Sequence, residues 1–169
     1  MPAARSRTRP DDRIAIRRAV AGDLDALVAL EQASFAGDRL AARQWRFHLA
    51  SPRAIVRVAV ADGRLLGAAL AFLHGGHDLA RLYSLATAAA ARGRGIGDRL
   101  LAAIEGDARM AGRSRLRLEV RADNLAAQRL YERRGYRGIG RRPQYYADGE
   151  AALRYEKALG KSVPKRPRG

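Results

Sequence analysis

Arg92–Gly93–Arg94–Gly95–Ile96–Gly97 is the stretch whose reading decides the fold. Before it, residues 79–87 are rich in apolar and aromatic groups, the composition of a strand. After it, a helical period runs to about residue 111, with Leu100, Leu101, Ile104 and Ala108 on one stripe and Gly112 as the terminating glycine. Glycines take dihedrals closed to other residues and let the backbone approach a ligand. The free N–H groups of a helix start then point at an anion, helped by the helix dipole. Arg92, Arg94 and Arg99 add charge, so the expectation is a pyrophosphate site. Gly93, Gly95 and Gly97 are spaced G-x-G-x-G, and Asp98 stands where the dinucleotide fingerprint needs its third glycine. No Gly-Lys-Ser/Thr of a P-loop is present. A plain tight turn before a helix is the other reading.

Downstream, Arg115–Leu116–Arg117–Leu118–Glu119–Val120–Arg121 alternates with period two. Leu116, Leu118 and Val120 face helices, and the four charged residues face the other way. A central strand covered on both sides is apolar on both, so the charged face must meet water or a cleft. Glu119 between arginines is a candidate base; ordinary cross-strand salt pairs are the alternative. Asn124 opens the next helix, where its side chain can cap. Tyr131, two turns on, reads from its position as a half-buried core tyrosine, the commoner fate of the residue.

Upstream, residues 14–18 form a short strand, and Gly22–Asp23 starts a helix with Leu24, Leu27, Val28 and Leu30 at helical spacing. A second helix covers about 41–50, ended by Pro52. Strands at 54–60 and 65–73 flank the hairpin signal Asp62–Gly63. His74–Gly75–Gly76–His77 is a turn; two histidines without a third ligand make a poor metal site. Strands at 137–141 and 151–159 follow the helix ending at Gly135. The order β-α-α-β-β-β-α-β-α-β-β is an α/β domain with a mixed central sheet flanked by helices. Trp45 and Phe47 read as helix core or as groove lining, and Tyr145–Tyr146 as acceptor-site border or packing.

The 169 residues suit one domain, at 14–159, between basic tails at 1–13 and 160–169. The Arg-containing start lacks the apolar stretch of a secretory signal, and Asp11 and Asp12 argue against a transit peptide. No run approaches membrane-spanning length, so no membrane contact and a cytoplasmic location are expected. The absence of cysteine excludes disulfides, thiolate zinc sites and a cysteine nucleophile. The net charge is +16, of which the tails carry +2 and +4. Such charge attracts phosphates, on a cofactor or on RNA; arginine-rich composition is the alternative cause.

Together these residues resemble the GNAT superfamily of N-acetyltransferases. Arg92 to Gly97 fits its Q/R-x-x-G-x-G/A signature. Leu118–Glu119–Val120–Arg121–Ala122–Asp123–Asn124, then Ala127, Leu130–Tyr131–Glu132 and Arg134–Gly135–Tyr136, resemble the ribosomal-protein alanine N-acetyltransferase branch. Arg141–Arg142–Pro143–Gln144–Tyr145–Tyr146, Asp148–Gly149 and Ala152–Leu153 extend the likeness, which covers about 13–160. It departs at the linker Ala88–Ala89–Ala90–Ala91 and over 36–48, where the acceptor groove would be shaped. The resemblance implies a GNAT-type sheet, acetyl-CoA as co-substrate, no metal, and acetyl transfer to a primary amine. The acceptor implied is a protein N-terminus. Glu119 would be the general base through a water, and Tyr131 the acid that protonates the departing thiolate. Leu85, Ala86 and Thr87 would pair their backbone with the pantetheine arm. Arg92, Gly93, Arg94, Gly95, Ile96 and Gly97 would hold the pyrophosphate, and Asn124 would contact the cofactor.

Two other readings stay open. One is a small-amine acetyltransferase, drawn by Asp123, Glu132, Asp148 and Glu150. The other is a catalytically weak module associated with the ribosome or RNA, which the charge suits but the 6% aromatic content does not favour. Replacing Arg94 with Ala is expected to weaken acetyl-CoA binding, with a loss that shrinks as salt is raised in calorimetric titrations.

Overall fold

Asp62 and Gly63 both have positive φ, 49° and 72°, as a tight two-residue hairpin turn demands. They join β2 (Ala54–Ala61) to β3 (Arg64–Leu73), antiparallel along the whole of β2. β1 (Ala15–Arg18) lines the free edge of β2, and β4 (Leu79–Thr87) pairs antiparallel with β3. β5 (Arg115–Arg121) runs parallel to β4, β7 (Ala152–Ala158) is antiparallel to β5, and β6 (Arg137–Arg142) is the far edge. The sheet order is β1-β2-β3-β4-β5-β7-β6. The helices are α1 (Leu24–Ser34), α2 (Ala42–Ala50), α3 (Ile96–Met110) and α4 (Leu125–Arg133), in the order expected. The computed structural model describes residues 13–76 and 78–160. His77 and nearly all of both basic tails lie outside the described residues.

The sheet separates two cores. On one face, Leu100, Leu101 and Ile104 of α3 and Tyr131 of α4 pack on Leu116, Leu118 and Val120 of β5. On the other, Leu27 and Leu30 of α1 and Trp45 of α2 pack on Val58 and Leu70. Each fully buried Leu or Ile contributes about 1.5–3 kcal/mol. α3 approaches the sheet closely at Gly67. A Cβ there would stand 2.9 Å from Ile96 Cγ2 and 3.0 Å from the Ala86 carbonyl oxygen. The alanine-rich linker forms a 3₁₀ turn at Ala89–Ala91 with Ala91 buried. No helix among the described residues is long and apolar enough to cross a membrane.

The stripe of α3 contains a charge that its apolar spacing conceals. Glu105 is 1% exposed. Its carboxylate accepts from Arg134 Nη2 at 2.7 Å, Lys157 Nζ at 3.0 Å and the Tyr136 hydroxyl at 2.9 Å. Burial pushes its pKa up, but these three donors outweigh burial and hold it below its ordinary 4.5. A depressed carboxylate stabilises the fold above its unfolded pKa, and that contribution fades as pH falls through the lower folded value. The Glu105→Gln variant is therefore expected to be less stable at neutral pH by about 3 kcal/mol. In denaturant unfolding, the gap to the unmodified protein should narrow below about pH 4.5. A gap independent of pH would contradict the assignment.

Candidate active site

β4 and β5 pair over only four residue pairs, from Leu79↔Arg115 to Leu82↔Leu118, and then separate. Beyond that point β4 is paired on its other edge alone, with Leu85, Ala86 and Thr87 opposite Ala69, Ala68 and Gly67. The backbone groups that this stretch turns toward β5 have no strand partner. Tyr83 is the extra residue of a β-bulge, because Leu82 opposes Ala71 and Ser84 opposes Leu70. Bulges bend a strand and re-aim its side chains. The result is a wedge-shaped gap in the middle of the sheet, lined on one side by peptide groups.

The glycine turn lies at the wide end of this gap. Gly93 and Gly95 have φ of 78° and 73°, the left-handed region that favours glycine. Gly95 is the N-cap of α3 and offers no side chain to its first turn, so the N–H groups there face outward. Gly97 lets α4 come close: a Cβ would be 3.3 Å from Leu130 Cδ2. The side chain of Ile96 is buried in the core, leaving its backbone as the part that can meet an anion. Arg92 is exposed and Arg94 half-buried on the same turn. Arg99, expected to add charge here, instead donates to the Ile14 carbonyl at 2.9 Å and ties β1 to α3. Asp98 is offset by Arg134 at 3.2 Å. Asn124 caps α4, its Oδ1 accepting from Ala127 N at 3.1 Å. This is the capping alternative, and it leaves the amide nitrogen as the group a ligand could use. A glycine turn at a helix start, unpaired strand backbone and a second helix start therefore lie along one gap.

At the narrow end, on the sheet face that α1 and α2 leave open, stands Glu119, its side chain 7% exposed. Its Oε2 accepts from Arg81 at 2.8 Å (Nη2) and 3.1 Å (Nε). Its Oε1 is 3.7 Å from Arg154 Nε, beyond hydrogen-bond reach, and that nitrogen is buried without a hydrogen-bond partner. The arginines beside Glu119 in sequence are engaged elsewhere: Arg117 with Glu156 at 2.7 Å, and Arg121 with Asp148 at 2.7 Å and Asp123 at 3.1 Å. The cross-strand salt pairs of the alternative reading are present, and they surround a carboxylate whose Oε1 stands 3.7 Å from Arg154. Arg81 also donates to the Tyr145 hydroxyl at 3.0 Å, and Arg121 lies 4.9 Å above the Tyr146 ring. The segment between β6 and β7 is thereby held over the open face, with Tyr145 at its border.

Tyr131 is buried against Tyr136 and Tyr155, ring centroids 5.7 and 6.4 Å away. Burial first, and then the neighbouring Tyr146, raise its pKa, so the hydroxyl keeps its proton at working pH. Tyr131 is thus a core tyrosine, the alternative reading of this position. Sequence reasoning missed Arg81, Tyr83 and Arg154. The first two could have been found, for Arg81 and Tyr83 sit two apart on β4 and interrupt an apolar run.

The family model described as Acetyltransferase (GNAT) family matches residues 24–136. An uncharacterized N-acetyltransferase of Methanocaldococcus jannaschii is 35% identical over 139 residues, covering 82% of this chain and 87% of that protein. The crystal structure of the ribosomal-protein-S18-alanine N-acetyltransferase from Escherichia coli superposes with a TM-score of 0.79 at 25% identity, over 90% of this chain and 98% of that one. The ribosomal-protein-alanine N-acetyltransferase from Brucella melitensis gives 0.75 at 26% identity, over 85% and 99%.

Proposed function

The chain belongs to the acetyltransferase (GNAT) family and is an acetyl-CoA-dependent N-acetyltransferase, and on that premise we propose that its acceptor is a protein N-terminal amine of the ribosomal-protein type. The observation that carries the reading is the parting of β4 from β5 with Glu119 at its narrow end. Acetyl-CoA, when bound, supplies a thioester carbonyl and a thiolate leaving group.

The chain's own residues then divide the work. The turn Arg92–Gly97 and the first N–H groups of α3 hold the pyrophosphate. The unpaired backbone of Leu85, Ala86 and Thr87 binds the pantetheine arm and orients the carbonyl. The Asn124 amide adds a contact at the start of α4. An α-amine has a pKa of about 7.7–8.0, so at neutral pH most of it is protonated and not nucleophilic. Glu119 takes that proton through a water at Oε1, while Arg81 fixes the carboxylate's orientation. Tyr131, kept protonated by burial, gives a proton to the departing sulfur.

The acids that suggested a small cationic acceptor are already partnered. Asp123 and Asp148 pair with Arg121, and Glu132 accepts from the Tyr155 hydroxyl at 3.0 Å. Glu150 Oε1 accepts from Ala151 N at 3.1 Å. This favours a peptide over a polycation. The two ribosomal-protein-alanine acetyltransferase structures support the same acceptor, and a net charge of +16 suits work near an RNA-rich particle.

The deciding experiment is calorimetric titration with acetyl-CoA, with NADH and ATP as controls, followed by an acceptor screen that begins with ribosomal-protein N-terminal peptides. Selective binding without transfer to any peptide would remove the proposed acceptor. Glu119→Gln should slow turnover by about 10²–10⁴-fold below about pH 8 and by less above it, where the amine is already neutral. A loss equal at all pH values would remove Glu119 as the base. Tyr131→Phe should lower kcat while leaving the acetyl-CoA Kd unchanged; an unaltered kcat would remove it as the acid.

A further inference from the structure

Two aromatic residues of α2 that the sequence left undecided have opposite fates. Trp45 is 2% exposed in the core, whereas Phe47 is 68% exposed. Phe47 begins a continuous row of rings. Its centroid lies 5.6 Å from that of His48, which lies 4.9 Å from Phe72 of β3, which lies 5.4 Å from Tyr83 of β4. Tyr83 is 47% exposed and is the bulged residue where β4 leaves β5, one strand from Glu119. Burial lowers the pKa of His48, which keeps its ring uncharged within the row. A shallow depression of about 410 Å³, lined by Arg43, Gln44, Phe47 and His48, marks the outer end. α2 carries Arg43 and Arg46 and no acid.

We propose that this row is an acceptor track. An extended polypeptide would lie along it with its amino terminus at Glu119, an apolar or aromatic side chain against Phe47, and an acidic side chain beside Arg43. The three ring-to-ring steps, with the one-strand step from Tyr83 to Glu119, correspond to about six residues of extended chain, which sets where that apolar side chain falls. The inference rests on the acetyl-transfer reading above and narrows its acceptor. Three features carry it. Phe47 and Tyr83 are both exposed and are joined by His48 and Phe72 into one contiguous patch, and such patches mark contact surfaces. The row is continuous from the surface to the point where the strands part. The basic flank of α2 complements an acidic peptide, whereas a free small amine would be too short to touch Phe47 at all.

The test compares a peptide carrying Phe at residue six and Glu at residue eight, on one face of an extended chain, with a dipeptide of the same first two residues. For each enzyme form the ratio of their kcat/KM values is measured. The unmodified protein is expected to favour the longer peptide, and Phe47→Ala, at an exposed position, should cut that preference about tenfold through KM. Arg43→Glu should turn a preference for Glu at residue eight into one for Lys. A ratio near one, or a ratio that Phe47→Ala leaves unchanged, overturns the track while acetyl transfer stands. Transfer to small amines and to no peptide overturns both the track and the protein acceptor. Transfer to no amine at all overturns the acetyl-transfer reading with it.

Discussion

Everything at the site depends on how β5 divides its two edges. On one edge it is paired with β7 along its whole length, from Arg115 to Arg121. On the other it is paired with β4 for four residues and then released. Strand pairing is cooperative and leaves few backbone groups unmet, so a half-released central strand is costly unless something else takes its place. β7 holds β5 in position after β4 has gone, and the bulge at Tyr83 turns β4 aside. The unpaired backbone is thus presented by rigid strands rather than by a loop, and rigid elements hold site geometry better.

The parts legible in the sequence are those that local backbone chemistry decides. The glycines of Arg92–Gly97, the Asp62–Gly63 turn and the alternation from Arg115 to Arg121 each state their conformation within a few residues. The parts that were not legible come from register. Glu119 meets Arg154 because the two are cross-strand partners. It meets Arg81 across 38 residues of chain because α3 returns the chain beside β4. Nothing near Glu119 in sequence announces either neighbour, and the adjacent arginines suggested the wrong ones. Phe47 and Trp45 show the same limit at shorter range. Two positions along a helix is more than half a turn, so one ring is core and the other surface, but their types alone do not say which.

The face around Glu119 is a lattice of paired charges rather than a field of one sign. Arg81, Arg115, Arg117 and Arg121 each have a carboxylate partner. Such pairs add little stability at a surface, but they fix rotamers. Here they orient one carboxylate and clamp the Tyr145–Tyr146 segment. Glu105 does similar work on the opposite face, tying α3 to the end of α4 and to β7. Two helix starts that flank one gap are braced at a distance from it.

The outer strand β6 gives part of the large charge a meaning unrelated to phosphate. All six residues from Arg137 to Arg142 are exposed, and its pairing with β7 is interrupted between Gly138 and Gly140. An open strand edge is a template for another chain, and proteins blunt such edges with cations and irregular backbone. Arg137, Arg141 and Arg142 repel an identical edge, and the interruption at Ile139 spoils its hydrogen-bond spacing. Cations so placed on an open edge make pairing with an identical edge unfavourable.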